Sequence, residues 1–209
     1  SRWDRLKDPV GVLQGFAQLL SPLAPRNAEL VLAGPNVHAV ADDPEGAQVF
    51  EELVSAWRAL PHHARAKIHL ANLPMADVEE NAAIVNALQR HSTVIVQKSL
   101  REGFGLTVSE AMWKARPVVA SAVGGIQDQI VDGVSGLLLK DPGDLREFAG
   151  LLRTLLQNEA FAQRLGIAAR ERVKERFLGV QSLLAYERLV TSLVNAPLFS
   201  ANAEQTSQL

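Results

Sequence analysis

The sequence predicts an α/β fold: a parallel sheet with helices on both faces, followed by a helical C-terminus. Short apolar, β-branched runs recur at 29–34, 67–71, 93–96, 117–120 and 136–139. Stretches of helical periodicity separate most of them, and from Asp144 onward the periodicity is helical throughout. Strands and helices alternating at this length give a Rossmann-like parallel layer.

Taken in order, residues 1–7 read as a polar loop entering a helix. Pro9 suits a first helical position, and Val10, Leu13, Phe16, Ala17 and Leu20 recur at helical spacing. Residues 29–34 form a buried strand ending in a glycine turn, and Asp42, Asp43, Pro44, Glu45 and Gly46 form a loop before a helix over 47–60. A strand at 67–71 and a helix at 78–90 follow. Next come the strand at 93–96, a helix from Leu106, and short strands at 117–120 and 136–139. Helices over 145–157, 160–177 and 183–194 complete the chain, and this half is expected to pack and support. The domain is thus residues 1–194, and 195–209 is a frayed tail. Strand ends near Asn72, Arg101 and Gly124 share the edge where such sheets bind ligands.

Composition limits the function. The 209 residues suit one domain, and 21 basic against 23 acidic residues, a net charge of −2, argue against a nucleic-acid or membrane surface held by bulk electrostatics. With no cysteine there is no disulfide framework, thiolate metal site or cysteine nucleophile. No apolar run is long enough to span a membrane and no signal-peptide pattern opens the chain, so a cytoplasmic location is expected. The start at Ser1 reads as that of an excised piece.

The stretch from Arg101 to Glu110 carries the chemistry. It reads as strand, glycine turn, helix, and the first helical N–H groups after Gly105 have no partner inside the helix. With the macrodipole they make an anion site, and Gly103 and Gly105 let a ligand approach the backbone. Glu102 borders the turn, and Glu110, about one turn into the helix, leans back toward the same pocket because helical side chains tilt N-terminally. Donors for phosphate flanked by carboxylates for hydroxyls suit a phosphorylated sugar. A chance pair of glutamates around a glycine turn is the plain alternative.

Two glutamates separated by seven residues around Gly103-Phe104-Gly105-Leu106 resemble the retaining glycosyltransferases of family 4. The resemblance implies the C-terminal lobe of a two-lobed GT-B fold, with the N-terminal acceptor lobe outside this chain. It implies that Arg2 and Lys7 hold the donor diphosphate, although Asp8 stands where a glycine commonly follows the lysine. It places Glu102, Gly103, Phe104 and Gly105 at the donor sugar, the N–H groups of Leu106 and Thr107 at phosphate, and Glu110 at the ribose. Phe104 as a core anchor is the alternative, and a surface Arg and Lys near a terminus are otherwise usually solvated. A hydrolase pair would need no helix N-terminus between its carboxylates, so transfer fits better than hydrolysis.

The block from Pro117 through Gly124-Gly125 to Gly133 also matches the family, except that Gln127-Asp128 replaces its usual Pro-Glu. Residues 42–46, 111–114, 124–126 and 129–133 are similar to the trehalose-synthesising branch, which joins nucleotide-activated glucose to free glucose. The implied donor is UDP-, ADP- or GDP-glucose, and the implied partners are a sugar acceptor and the N-terminal lobe, with a homodimer left open. Other family 4 activities, a trehalose phosphorylase, an isolated donor-binding module and a helix-rich interaction domain are the alternatives. No metal is expected: Asp42, Asp43 and Glu45 suit a helix cap, and His38, His62, His63, His69 and His91 lack ligand spacing. Asn72 and Leu73 face the base or merely make a turn.

Overall fold

The computed structural model describes residues 2–20, 28–37 and 44–195. Its elements are α1 (Pro9–Leu19), β1 (Leu30–Pro35), α2 (Pro44–Ala59), α3 (His62–Arg65), β2 (Ile68–Leu73), α4 (Val78–His91), β3 (Ile95–Gln97), α5 (Leu106–Trp113), β4 (Val118–Ser121), α6 (Ile126–Gln129), β5 (Leu137–Leu139), α7 (Leu145–Gln157), α8 (Glu159–Arg176) and α9 (Gly179–Val194). All the expected strands form, each displaced by one or two residues at an end. The 3-10 turn Arg5–Lys7 and the short helices α3 and α6 are additions. Ser1, His38, Asp42, Asp43 and residues 196–209 lie outside the described residues.

Among the described residues the strands form two parallel sheets rather than one, β1-β2 and β3-β4-β5. The registers run Leu30↔Ile68 to Pro35↔Leu73, Ile95↔Val118 to Gln97↔Ala120, and Val119↔Leu137 to Ser121↔Leu139. Apolar periodicity marks a strand but does not say which strand it neighbours.

Helices do cover both faces of the three-stranded sheet, and β4 shows why. Successive strand residues point to opposite sides. Val119 joins a core with Leu13 and Phe16 of α1, Phe148 and Leu152 of α7, and Leu53 of α2. Val118 and Ala120 join a second core with Val108 and Met112 of α5 and Ala169 and Val173 of α8. Leu30 and Leu32 of β1 pack against the first core together with Val96 of β3, so both sheets share it.

Caps fix the helix starts. Asp144 accepts the N–H groups of Arg146 at 2.9 Å and Glu147 at 2.8 Å, and Asp77 accepts that of Glu79 at 2.8 Å. The supporting role expected of the C-terminal half is met by α7 and α8, but α9 has no buried residue. Its Leu183, Tyr186, Val190 and Leu193 are all exposed.

Candidate functional site

Residues 2–8 and 97–105 come together across the carboxyl ends of the strands. Trp3, 4% exposed, donates its indole N–H to the carbonyl of Pro35 at 2.8 Å and packs on Phe50, which pins the N-terminal segment to the end of β1. The N–H of Leu100 donates to the carbonyl of Leu6 at 2.7 Å, which ties the same segment to the loop leaving β3. Arg5 makes a bidentate pair with Glu52 of α2, at 2.7 and 2.8 Å. That pair raises the pKa of Arg5 and lowers that of Glu52.

A cleft of about 230 Å³ opens between the two segments, lined by Arg2, Asp4, Leu6, Lys7, Arg101, Glu102 and Gly103. Its floor is ionic. Lys7 Nζ pairs with Glu102 Oε2, and the same oxygen receives Ser99 Oγ at 3.3 Å and Gln97 Nε2 at 3.4 Å. Gln97 also donates to Ser99 Oγ at 2.8 Å. The structure therefore brings Arg2, Lys7, Glu102 and Gly103 into one site and adds the side chain of Arg101, to which sequence reasoning assigned no role. It also passed over Gln97 and Ser99, both buried. Their signal was a polar run, Gln97-Lys98-Ser99, directly after an apolar strand and before the glutamate.

The glycine turn beyond the cleft leads into α5. Gly105 caps the helix at φ 86°, a conformation that favours glycine, and the first helical closure is from Val108 N to Gly105 O at 2.9 Å. Leu106 and Thr107 thus present the first-turn N–H groups of an eight-residue helix. Phe104 is no core anchor: it is 45% exposed, its ring set at 62° to that of Phe177 with centroids 6.1 Å apart. The turn is held from behind. Gly125 N donates to Gly103 O at 2.7 Å, and Gln129, fully buried, donates to Phe104 O and accepts Ser109 Oγ at 2.8 Å. Gly124, at φ 50°, has no room for a Cβ, which would strike the carbonyl oxygen of Glu102.

Glu110 does not line the Glu102 cleft. It is exposed on α5, where its Oε2 accepts Nε2 of the buried Gln89 at 3.1 Å, and Gln89 in turn accepts from Lys114. The two glutamates therefore stand on separate hydrogen-bond networks on either side of the glycine turn.

Asn72 is exposed at the end of β2 and Leu73 is buried. His62, His63 and His91 are exposed, and His69 contacts Glu29 at 3.1 Å. Among the described residues no group of His, Asp and Glu gathers as a metal site, and no helix is long and apolar enough to cross a membrane.

The family model for "Glycosyl transferases group 1" matches residues 1–172. The chain is 41% identical over 192 residues to the trehalose synthase of Thermococcus litoralis, covering 92% of this chain and 43% of that protein. It therefore spans less than half the length of that relative. Sucrose-phosphate synthase from Thermosynechococcus elongatus superposes with a TM-score of 0.69 at 27% identity, covering 93% of this chain and 44% of that one. Anabaena Alr3699/HepE in complex with UDP-glucose has a TM-score of 0.70 at 22% identity, covering 91% and 47%. These likenesses match the α/β fold to that of GT-B glycosyltransferases.

Proposed function

The chain belongs to the group 1 glycosyl transferases, and from that premise we propose that it is the donor-binding lobe of a retaining enzyme that transfers α-glucosyl from a nucleoside-diphosphate glucose to glucose, making trehalose. The observation that carries the proposal is the meeting of Arg2, Lys7 and Glu102 in one cleft beside the glycine turn that opens α5.

Arg2 and Lys7 bind the diphosphate and stabilise the charge that grows on it as the bond from the sugar C1 to phosphate oxygen breaks. The first-turn N–H groups of Leu106 and Thr107 add fixed donors to the same anion. Glu102, with the backbone of Gly103, Phe104 and Gly105, receives the sugar hydroxyls, and Glu110 receives those of the ribose. The acceptor oxygen attacks C1 from the face the diphosphate leaves, and its proton passes to the departing phosphate oxygen. No protein nucleophile takes part.

Within the cleft Lys7 pairs with Glu102. A donor separates them, phosphate taking the ammonium and sugar hydroxyls taking the carboxylate. Each half of one ligand thereby satisfies one half of an existing ion pair. The sugar acceptor and the other half of the catalytic cleft are assigned to an N-terminal lobe of the same enzyme, in keeping with the 43% of the Thermococcus protein that this chain covers. Alone, the chain binds donor without turnover.

Calorimetric titration with UDP-, ADP- and GDP-glucose, against the matching diphosphates and free glucose, tests the reading. Saturable binding with a preference for one base, weakened in Glu110→Ala, is the expected result. Absence of binding by all three, with no gain on adding the N-terminal lobe of a relative, overturns it.

A further inference from the structure

Lys98 is one of the largest fully buried side chains in the molecule, at 2% exposure, and the reaction just described does not use it. Its Nζ pairs with Asp8 Oδ2. A buried ammonium without a partner is strongly unfavourable, yet a pair of apolar residues would fill such a place at no greater cost. The pair therefore calls for a reason other than stability.

Three local features are accounted for together. Asp8 stands at φ 49°, a backbone conformation uncommon outside glycine and more readily adopted by Asp and Asn than by most other residues. Its other oxygen, Oδ1, accepts Gly11 N at 3.0 Å and caps α1. A Cβ at Gly11 would lie 2.6 Å from Lys98 Nζ and strike the Asp8 carboxylate, so the pair would have to shift to admit one. An aspartate in a left-handed turn, a buried lysine and a glycine inside a helix all meet at one contact.

That contact joins the same two segments as the cleft does. Asp8 follows Lys7, and Lys98 precedes Glu102 by four residues. The segments are thus bridged twice, at the cleft by Lys7 and Glu102, whose side chains are 21% and 12% exposed, and beneath it by Asp8 and Lys98, the lysine at 1%. A donor must break the first bridge to bind. The second stands outside the lining of the cleft, with the Asp8 side chain 20% exposed.

We infer that Asp8 and Lys98 are a positioning pair that keeps the Lys7 turn and the Glu102 loop in register while the donor separates Lys7 from Glu102. The inference rests on the donor-site reading above and deepens it.

The test uses the full 209-residue chain. Asp8→Asn with Lys98→Met removes both charges, retains a side-chain oxygen for the α1 cap, and leaves no buried charge alone. Thermal midpoints and calorimetric affinity are measured with whichever of UDP-, ADP- and GDP-glucose the unmodified chain binds. The double variant is expected to regain most of the midpoint lost in Lys98→Met alone, while its donor affinity stays down by about tenfold, as loss of pre-set geometry rather than of a contact would give. If the double variant fails to fold, Asp8→Asn with Lys98→Gln, which removes both charges and keeps a hydrogen-bonding group at each position, is read by the same criterion. Donor affinity equal to that of the unmodified chain shows the pair to be structural only and overturns this inference, leaving the donor-site reading intact. An unmodified chain that binds no donor, with no gain on adding the N-terminal lobe of a relative, overturns both.

Discussion

Glu102 and Glu110 are chemically identical, but their surroundings differ. Glu102 Oε2 collects Lys7, Ser99 and Gln97 at the cleft. Glu110 is held by Gln89 on the outer side of α5. Glu110→Ala should therefore weaken nucleoside-diphosphate binding, whereas Glu102→Ala should leave it nearly unchanged and chiefly lower turnover in the complete enzyme. Equal losses of nucleoside-diphosphate affinity in both, measured by calorimetry, would remove that division of roles. Gln89→Ala should weaken binding in the same direction as Glu110→Ala but less, because the carboxylate remains and only its orienting donor is lost. Glu102 was marked by its place beside a glycine turn that opens a helix, whereas Lys7 was named only through the family resemblance; the two pair in the structure. The supports of that site were not legible, because nothing in a polar run such as Gln97-Lys98-Ser99 marks it as buried, as the structure has it.

At the scale of elements, the glycine turn is shaped by the loop after β4 as much as by its own sequence. Gly124 combines a φ of 50° with contact on the Glu102 carbonyl, so Gly124→Ala adds backbone strain and displaces the loop that carries Glu102. A stability loss of about 1–3 kcal/mol is expected from chemical denaturation, with reduced donor binding in the fraction that folds. Gly133→Ala is its control, since a Cβ there meets nothing within 4 Å and only the positive φ is strained. The turn Arg5–Lys7 is fastened to α2 by Arg5 and Glu52, and this carries a pH signature. Arg5 holds the Glu52 carboxyl below its usual value of 4.5. A depressed folded-state pKa contributes stability above the usual value and loses it as pH falls through the depressed one. Glu29, lowered by His69 and then Lys67, acts in the same sense. Glu52→Gln should flatten part of the fall in thermal midpoint below pH 4.5 and change the neutral-pH midpoint little, since both partners are exposed. A variant that loses stability with acid as steeply as the unmodified chain would exclude the pair as a contributor. Helices of eight residues or more and all the strands were readable from periodicity. The turn Arg5–Lys7, α3 and α6 were not, because three or four residues complete barely one period.

At the scale of the whole molecule, 21 basic and 23 acidic residues leave no field that would draw a diphosphate from a distance. That balance was plain in the composition. The split of the strands into two sheets and the exposed apolar positions of α9 were not, since both depend on neighbours that periodicity does not name. Attraction for a donor must then come from the cleft itself, from Lys7, Arg2 and the start of α5. Contacts of that kind are short and partly shielded from solvent, with the Lys7 side chain at 21% exposure. Screening acts over about 10 Å at 0.1 M salt and about 3 Å at 1 M, so it reaches such contacts only in part. Donor affinity should therefore fall modestly between those salt concentrations. A steep fall would place the attraction in the general surface, and a flat response would show that neither Arg2 nor Lys7 touches the diphosphate. The same titration with Lys7→Gln separates the contributions: its affinity should start lower and respond less to salt, because the variant has lost the cation whose attraction the salt screens.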